Sequence, residues 1–147
     1  MDKNQTIYIA DSDNDRIVAW KKDATFGQIV AGGNGRGDRN NQLNDPTDVI
    51  IDYQNDTLII ADMGNRRVVR WPRENGESGE TIISNIRCCS LTMNINDDLY
   101  ATDYKSDEVR RWKIGETEGT INSINHIMRS STRMNLFMCL IVEIIVL

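Results

Sequence analysis

Short apolar runs alternate with polar turns along most of the chain, and three such stretches align without a gap. The first reads Ile7-Tyr8-Ile9-Ala10-Asp11, Ser12-Asp13-Asn14-Asp15, Arg16-Ile17-Val18-Ala19-Trp20. The second reads Leu58-Ile59-Ile60-Ala61-Asp62, Met63-Gly64-Asn65-Arg66, Arg67-Val68-Val69-Arg70-Trp71. The third reads Leu99-Tyr100-Ala101-Thr102-Asp103, Tyr104-Lys105-Ser106-Asp107, Glu108-Val109-Arg110-Arg111-Trp112. Each time an Asp precedes a Trp by nine positions, and the Trp-to-Trp spacings are 51 and 41. An apolar run, a polar turn and a β-branched run predict a β-hairpin. Two more runs complete each unit. Gly27-Gln28-Ile29-Val30 and Glu80-Thr81-Ile82-Ile83 follow a Trp, and Asp48-Val49-Ile50-Ile51-Asp52 and Ser90-Leu91-Thr92-Met93 precede a hairpin. Four short antiparallel strands at this period are the arithmetic of a β-propeller blade. Period-two alternation puts Ile7, Ile9, Leu58, Ile60, Leu99 and Ala101 on one face and Tyr8, Ile59 and Tyr100 on the other, each meeting a neighbouring unit.

Residues 58–71, with Ile60-Ala61-Asp62 and Asn65-Arg66-Arg67-Val68, are similar to the NHL repeat, a unit that builds six-bladed propellers. The likeness runs from about Thr6 to Ile121, and the third unit departs from it at Asp107-Glu108. It implies a platform that binds protein or RNA. Some relatives of the fold are instead lyases or lactone hydrolases that hold calcium or zinc in the central channel. Their metal ligands come from inner strands, where this sequence offers only Asp48 and Asp52.

A closed six-bladed ring needs on the order of 250 residues, and the chain has 147. The expectation is therefore an all-β, incomplete propeller over residues 1–121, with units at about 6–31, 47–84 and 88–121. The first unit starts at its second strand. Such a piece exposes strand edges and is expected to self-associate through them, a second copy completing the ring. The repeat stops after Ile121, so 122–147 is expected to lie outside it, as the tail of a gene fragment. Its apolar end, 136–147, has 12 residues including Glu143. A membrane helix needs about 17–25, so no span is expected; exposed, this run would aggregate.

Charge narrows the partners. With 17 Lys and Arg against 22 Asp and Glu, the net charge is -5, which disfavours a general phosphate-backbone binder and DNA in particular. No signal peptide is visible at the start, and no compartment follows. Cys88, Cys89 and Cys139 form neither a disulfide framework nor, with His126 as the only histidine, a zinc site. Cys88 and Cys89 are adjacent in a strand and should face opposite ways. Asp11-Ser12-Asp13-Asn14-Asp15 resembles the start of a calcium loop, but Arg16 and Lys22 stand where that loop needs Gly and Glu. Gly32-Gly33-Asn34-Gly35-Arg36-Gly37-Asp38 occurs once, without the stack of copies a calcium-binding repeat needs. No cofactor is expected, and no nucleophile–base pair marks an active site.

The remaining candidates are structural or recognitive. Asp11, Asp62 and Asp103 enter the turns, where a carboxylate can hold the backbone N–H groups just ahead. Trp20, Trp71 and Trp112 end the third strands and are expected to pack between units. Asp15, Arg16, Asn65 and Arg66 in the turns share one rim with Asn34 and Arg36 of the Gly- and Asn-rich connection from Ala31 to Pro46. Arg is the side chain best able to grip a carboxylate or phosphate, and loops on a rigid frame are where binding residues gather. That rim, with a protein partner foremost and RNA second, is the expected binding face.

Overall fold

A computed structural model describes residues 1–106, 108–113 and 120–122, with the side chains of Ile121 and Asn122 left out. Asp107, Cys139, His126, the tail beyond 122 and its apolar end 136–147 lie outside the described residues. Among the described residues eleven strands form three antiparallel sheets, and there is no α-helix. The first sheet holds β1 (Ile7–Asp11), β2 (Arg16–Trp20) and β3 (Gln28–Gly32). The second holds β4 (Pro46–Asp52), β5 (Thr57–Asp62), β6 (Arg67–Pro72) and β7 (Glu80–Ser84). The third holds β8 (Cys88–Met93), β9 (Leu99–Asp103), β10 (Glu108–Trp112) and β11 (Thr120–Asn122). Strands are joined in chain order within each sheet, so all connections are local.

The three aligned segments become three hairpins in one register. Asp11 pairs with Arg16, Asp62 with Arg67, and Asp103 with Glu108, while Ile7, Leu58 and Leu99 each face a Trp at the far end. In the first two, a single turn of 3-10 helix (Ser12–Asn14, Met63–Asn65) fills the bend and closes on a left-handed residue, Asp15 or Arg66. Irregular pairing recurs too. The ladder slips between Ile17 and Val18 and at the equivalent Val68 and Val69, and again at Pro46/Asp48 and Cys88/Leu91. Bulges raise the local twist, so the sheets are bent at matching places.

Alternation sends the two faces of the second sheet into two cores. Leu58, Ile60, Val69 and Trp71 pack against Tyr8, Ala10, Ile17 and Ala31 of the first sheet, with Leu43 closing the top. Ile59, Ala61, Val68 and Ile83 pack against Leu91, Leu99, Ala101 and Trp112 of the third, with Ile86 and Cys88 between. Each fully buried Leu or Ile contributes about 1.5–3 kcal/mol. The stack is directional: the face bearing Leu58 and Ile60 looks to the first sheet, and the face bearing Leu99 and Ala101 looks to the second. Ile7 and Ile9 occupy the same positions on the first sheet and stay 49% and 44% exposed. Trp71 and Trp112 are buried, whereas Trp20, on that same outer face, is 41% exposed.

Candidate functional site

The turn ends of the first two sheets meet under the connection 33–45, which lies across them as a strap. Its anchor is Asp62, whose side chain has no exposure. Asp62 Oδ1 accepts the Asn44 backbone N–H at 2.7 Å, and Oδ2 accepts Asn65 Nδ2 at 2.8 Å and Arg67 Nε at 2.7 Å. The rest of the Arg67 guanidinium reaches the strap's own backbone, donating to the carbonyls of Asp38, Arg39 and Gln42 at 2.9, 3.3 and 2.9 Å. Asn65 Nδ2 also donates to the Gly37 carbonyl at 2.8 Å. One buried carboxylate and one planar cation thus satisfy a loop that has no sheet to pair with.

The first sheet contributes Asp15, which is buried. Its carboxylate accepts Arg36 Nε at 3.1 Å and the Asp45 backbone N–H at 2.9 Å, and its carbonyl accepts the Gly33 N–H at 3.2 Å. Asn34 is tied to the carbonyls of Asn41 and Gly32 and accepts Gln42 Nε2. Of the six candidate rim residues, Asp15, Arg36, Asn34 and Asn65 are therefore brought together to hold the strap. Arg16 lies apart, on the open face of the first sheet, where its Nε bonds Asp11 at 2.7 Å. Arg66 sits at φ 54°, exposed, with no side-chain partner among the described residues. Its carbonyl is used by the Ile86 N–H, which fixes the residue in place. Arg39, on the strap, has an equally exposed side chain without a partner among the described residues.

The turn aspartates work differently from the expectation of backbone capping. Asp11 accepts the side chains of Asn14 and Arg16, and these bonds hold its carboxyl below the usual carboxylate range. Asp62 binds side chains and a distant backbone N–H. Only Asp103 holds the chain just ahead, through the Lys105 N–H at 3.2 Å and Ser106 Oγ at 3.3 Å. In the third unit, Glu108 replaces the arginine, and the short connection Asn85–Arg87 needs no guanidinium to fasten it. Arg87 instead stacks over Tyr104, 5.9 Å from the ring centre, and donates to its hydroxyl.

Arg67 was not among the residues singled out for the rim. The signal was available: the ungapped register places it opposite Arg16, one position after Arg66. Cys88 and Cys89 diverge, Cys88 buried and Cys89 half-buried beside Thr102 Oγ1. Burial pushes the Cys88 thiol well above its ordinary pKa, so it is a poor nucleophile. Among the described residues no group of three or more His, Cys, Asp or Glu side chains is placed to hold a metal ion, and no helix is long and apolar enough to cross a membrane.

A groove of about 950 Å³ opens at the opposite end of the first two sheets, lined by Asp2, Tyr8, Lys21, Phe26 and Arg73 among others. Its guanidinium is already paired, Arg73 with Asp56 at 2.7 Å and Asp2 at 3.6 Å. Burial raises the Asp2 carboxyl, but the Thr6 and Asn4 N–H groups and Arg73 outweigh it, and the pKa is lowered. None of the candidate rim residues lines this groove. No protein-family model matches the chain, and a search of curated proteins finds no match.

Proposed function

We propose that the three stacked sheets are successive wedges of an NHL-like β-propeller, and that the chain is a non-enzymatic scaffold whose strapped rim binds an acidic segment of a protein partner. Two features support the radial reading. Every sheet turns the same face to its predecessor, and contacts between sheets concentrate on their first two strands, β4 lying against β8 and β1 against β4.

The observation that carries the binding role is Arg66. A left-handed backbone costs a non-glycine residue about 1–2 kcal/mol, and Asp and Asn bear it best. The first unit places Asp15 at this position. The second places there an arginine whose side chain has no hydrogen bond or ion pair among the described residues, while its backbone is held by the Met63 carbonyl and the Ile86 N–H, and a strained residue held by its surroundings points to a use outside the fold. Arg39 sits on the strap whose carbonyls accept from Arg67, the residue after Arg66, so both exposed cations are carried by the same hydrogen-bonded frame. Both can form charge-assisted bonds to carboxylates.

The test is Arg66→Asn, alone and with Arg39→Ala. Urea unfolding is expected to show a gain of about 1 kcal/mol for Arg66→Asn. Binding of acidic peptides on an array should weaken at least tenfold, while RNA oligonucleotides serve as the second ligand class. A stabilised variant that binds peptides as well as the parent would overturn the rim assignment. So would hydrolytic turnover by the full chain without any peptide bound.

A further inference from the structure

The first sheet differs from the other two in one edge. In the second and third sheets the strand leading into the Asp turn is central: β5 lies between β4 and β6, and β9 between β8 and β10. Its counterpart β1 pairs with β2 alone. One row of its backbone N–H and C=O groups therefore has no strand beside it among the described residues. The side chains follow suit, since Leu58, Ile60 and Ala101 have no exposure, while Ile7 and Ile9 at the same register are about half exposed.

Natural edges are blunted by charge, proline or a bulge. Ile7, Tyr8, Ile9 and Ala10 carry no charge and no proline, and the β1–β2 ladder runs without a slip. β3 and β7, edges in both of their sheets, are a different matter, because no unit shows a strand beside them. Residues 2–6 turn back on themselves, with Asp2 Oδ1 accepting the Asn4 and Thr6 N–H groups at 2.9 and 2.7 Å. That turn ends the open edge at Ile7, so the free stretch is Ile7–Asp11.

We propose that this edge is a strand-addition site that takes one extended segment from a polypeptide other than this chain, antiparallel to β1. The molecule shows twice what fits. Opposite Leu58, Ile59 and Ile60 lie Ile51, Ile50 and Val49; opposite Leu99, Tyr100 and Ala101 lie Met93, Thr92 and Leu91. Preceding these come Asp48 and Ser90. The incoming segment accordingly reads acid or hydroxyl, aliphatic, β-branched, aliphatic, with its two aliphatic side chains beside Ile9 and Ile7. Backbone bonds supply affinity and the alternating side chains supply selectivity. Asp48 Oδ2 of β4 accepts the Leu91 N–H of the next sheet at 2.7 Å, whereas the corresponding Val49 N–H already donates to Asp48 Oδ1 at 2.8 Å, so an incoming acid finds no free donor at Val49 and a hydroxyl suits that position equally. The edge is separate from the strapped rim, whose residues lie in the turns and in 33–45.

The probe is a synthetic peptide with the sequence of residues 45–53, added to the full-length protein while amide exchange is followed by NMR. Saturating peptide should slow exchange at least tenfold at the alternate amides of Ile7–Asp11 that point away from β2, and leave β3 unchanged. Two peptides N-methylated at alternate positions should differ, one binding and one not, because alternate amides face the partner strand. Ile9→Lys, at an exposed position, should abolish binding without unfolding the chain. Three results would overturn the proposal: no slowing at millimolar peptide, equal binding of both methylated peptides, or slow exchange in the free protein at the β1 amides that point away from β2. The last would mean that the chain's own 123–147 or a second copy holds the edge.

Discussion

Asp11 and Asp62 occupy the same register and each bonds an arginine five residues on at 2.7 Å. Their surroundings set their worth. Asp11 lies on the open face of the first sheet, where water screens the pair and little stability is at stake. Asp62 has no exposure and satisfies three donors at once, one of them the backbone of the strap. Removing one partner of a buried pair leaves the other charge uncompensated, at about 3–5 kcal/mol. The carbonyls of Asp38, Arg39 and Gln42 remain to solvate Arg67, so Asp62→Ala is expected near 3 kcal/mol. Asp11→Ala should barely move the urea midpoint. Equal losses from the two substitutions would show that the strap does not bury Asp62 in solution.

The strap is the element that joins two units, and Gly32 is where it leaves β3. Gly32 has φ 68°, and a Cβ there would meet the Asp15 carbonyl oxygen at 2.5 Å. Gly35, within the strap at φ 79°, has nothing within 4 Å of such an atom. Both substitutions to alanine carry the left-handed cost of about 1–3 kcal/mol, and only Gly32→Ala adds a clash with backbone that cannot move without freeing Asp15. Gly32→Ala is therefore expected to lower stability clearly more than Gly35→Ala in parallel urea titrations. A reversed order would place the strap elsewhere. The hairpins around these elements were legible in the sequence because local pairing leaves a local signature: the Asp-to-Trp spacing predicted β1–β2, β5–β6 and β9–β10 to the residue at most ends. The flanking strands were legible to within two residues, β4 beginning at Pro46 instead of Asp48 and β3 ending at Gly32 instead of Val30. The strap was legible only as a long polar connection. Its grip on Arg67 runs through main-chain carbonyls, which every residue possesses, so no side-chain pattern could announce it. The contrast between buried Trp71 and exposed Trp20 was equally hidden, because it depends on which sheet lies beside each.

At the scale of the whole molecule the second sheet is the keystone, since among the described residues it is the one with both faces covered by neighbouring sheets. Stability in such a stack approximates a sum of unit and nearest-neighbour interface terms. Ile60 belongs to the interface with the first sheet and Ile59, its neighbour on the opposite face, to the interface with the third. Both are buried at 0% and 1% exposure, and truncation to alanine at either costs about 2–5 kcal/mol. The losses should fall in different places. In hydrogen exchange by mass spectrometry, Ile60→Ala is expected to speed opening of β1–β3 and leave β8–β10 near their parent rates, while Ile59→Ala does the reverse. The first sheet, with Ile7, Ile9, Trp20 and Ile29 uncovered on its outer side, should open before the second in the parent itself, because local opening there forfeits one interface instead of two. Uniform acceleration of all three sheets by either substitution would mean that the chain unfolds as one cooperative body and that the interfaces are not separable terms.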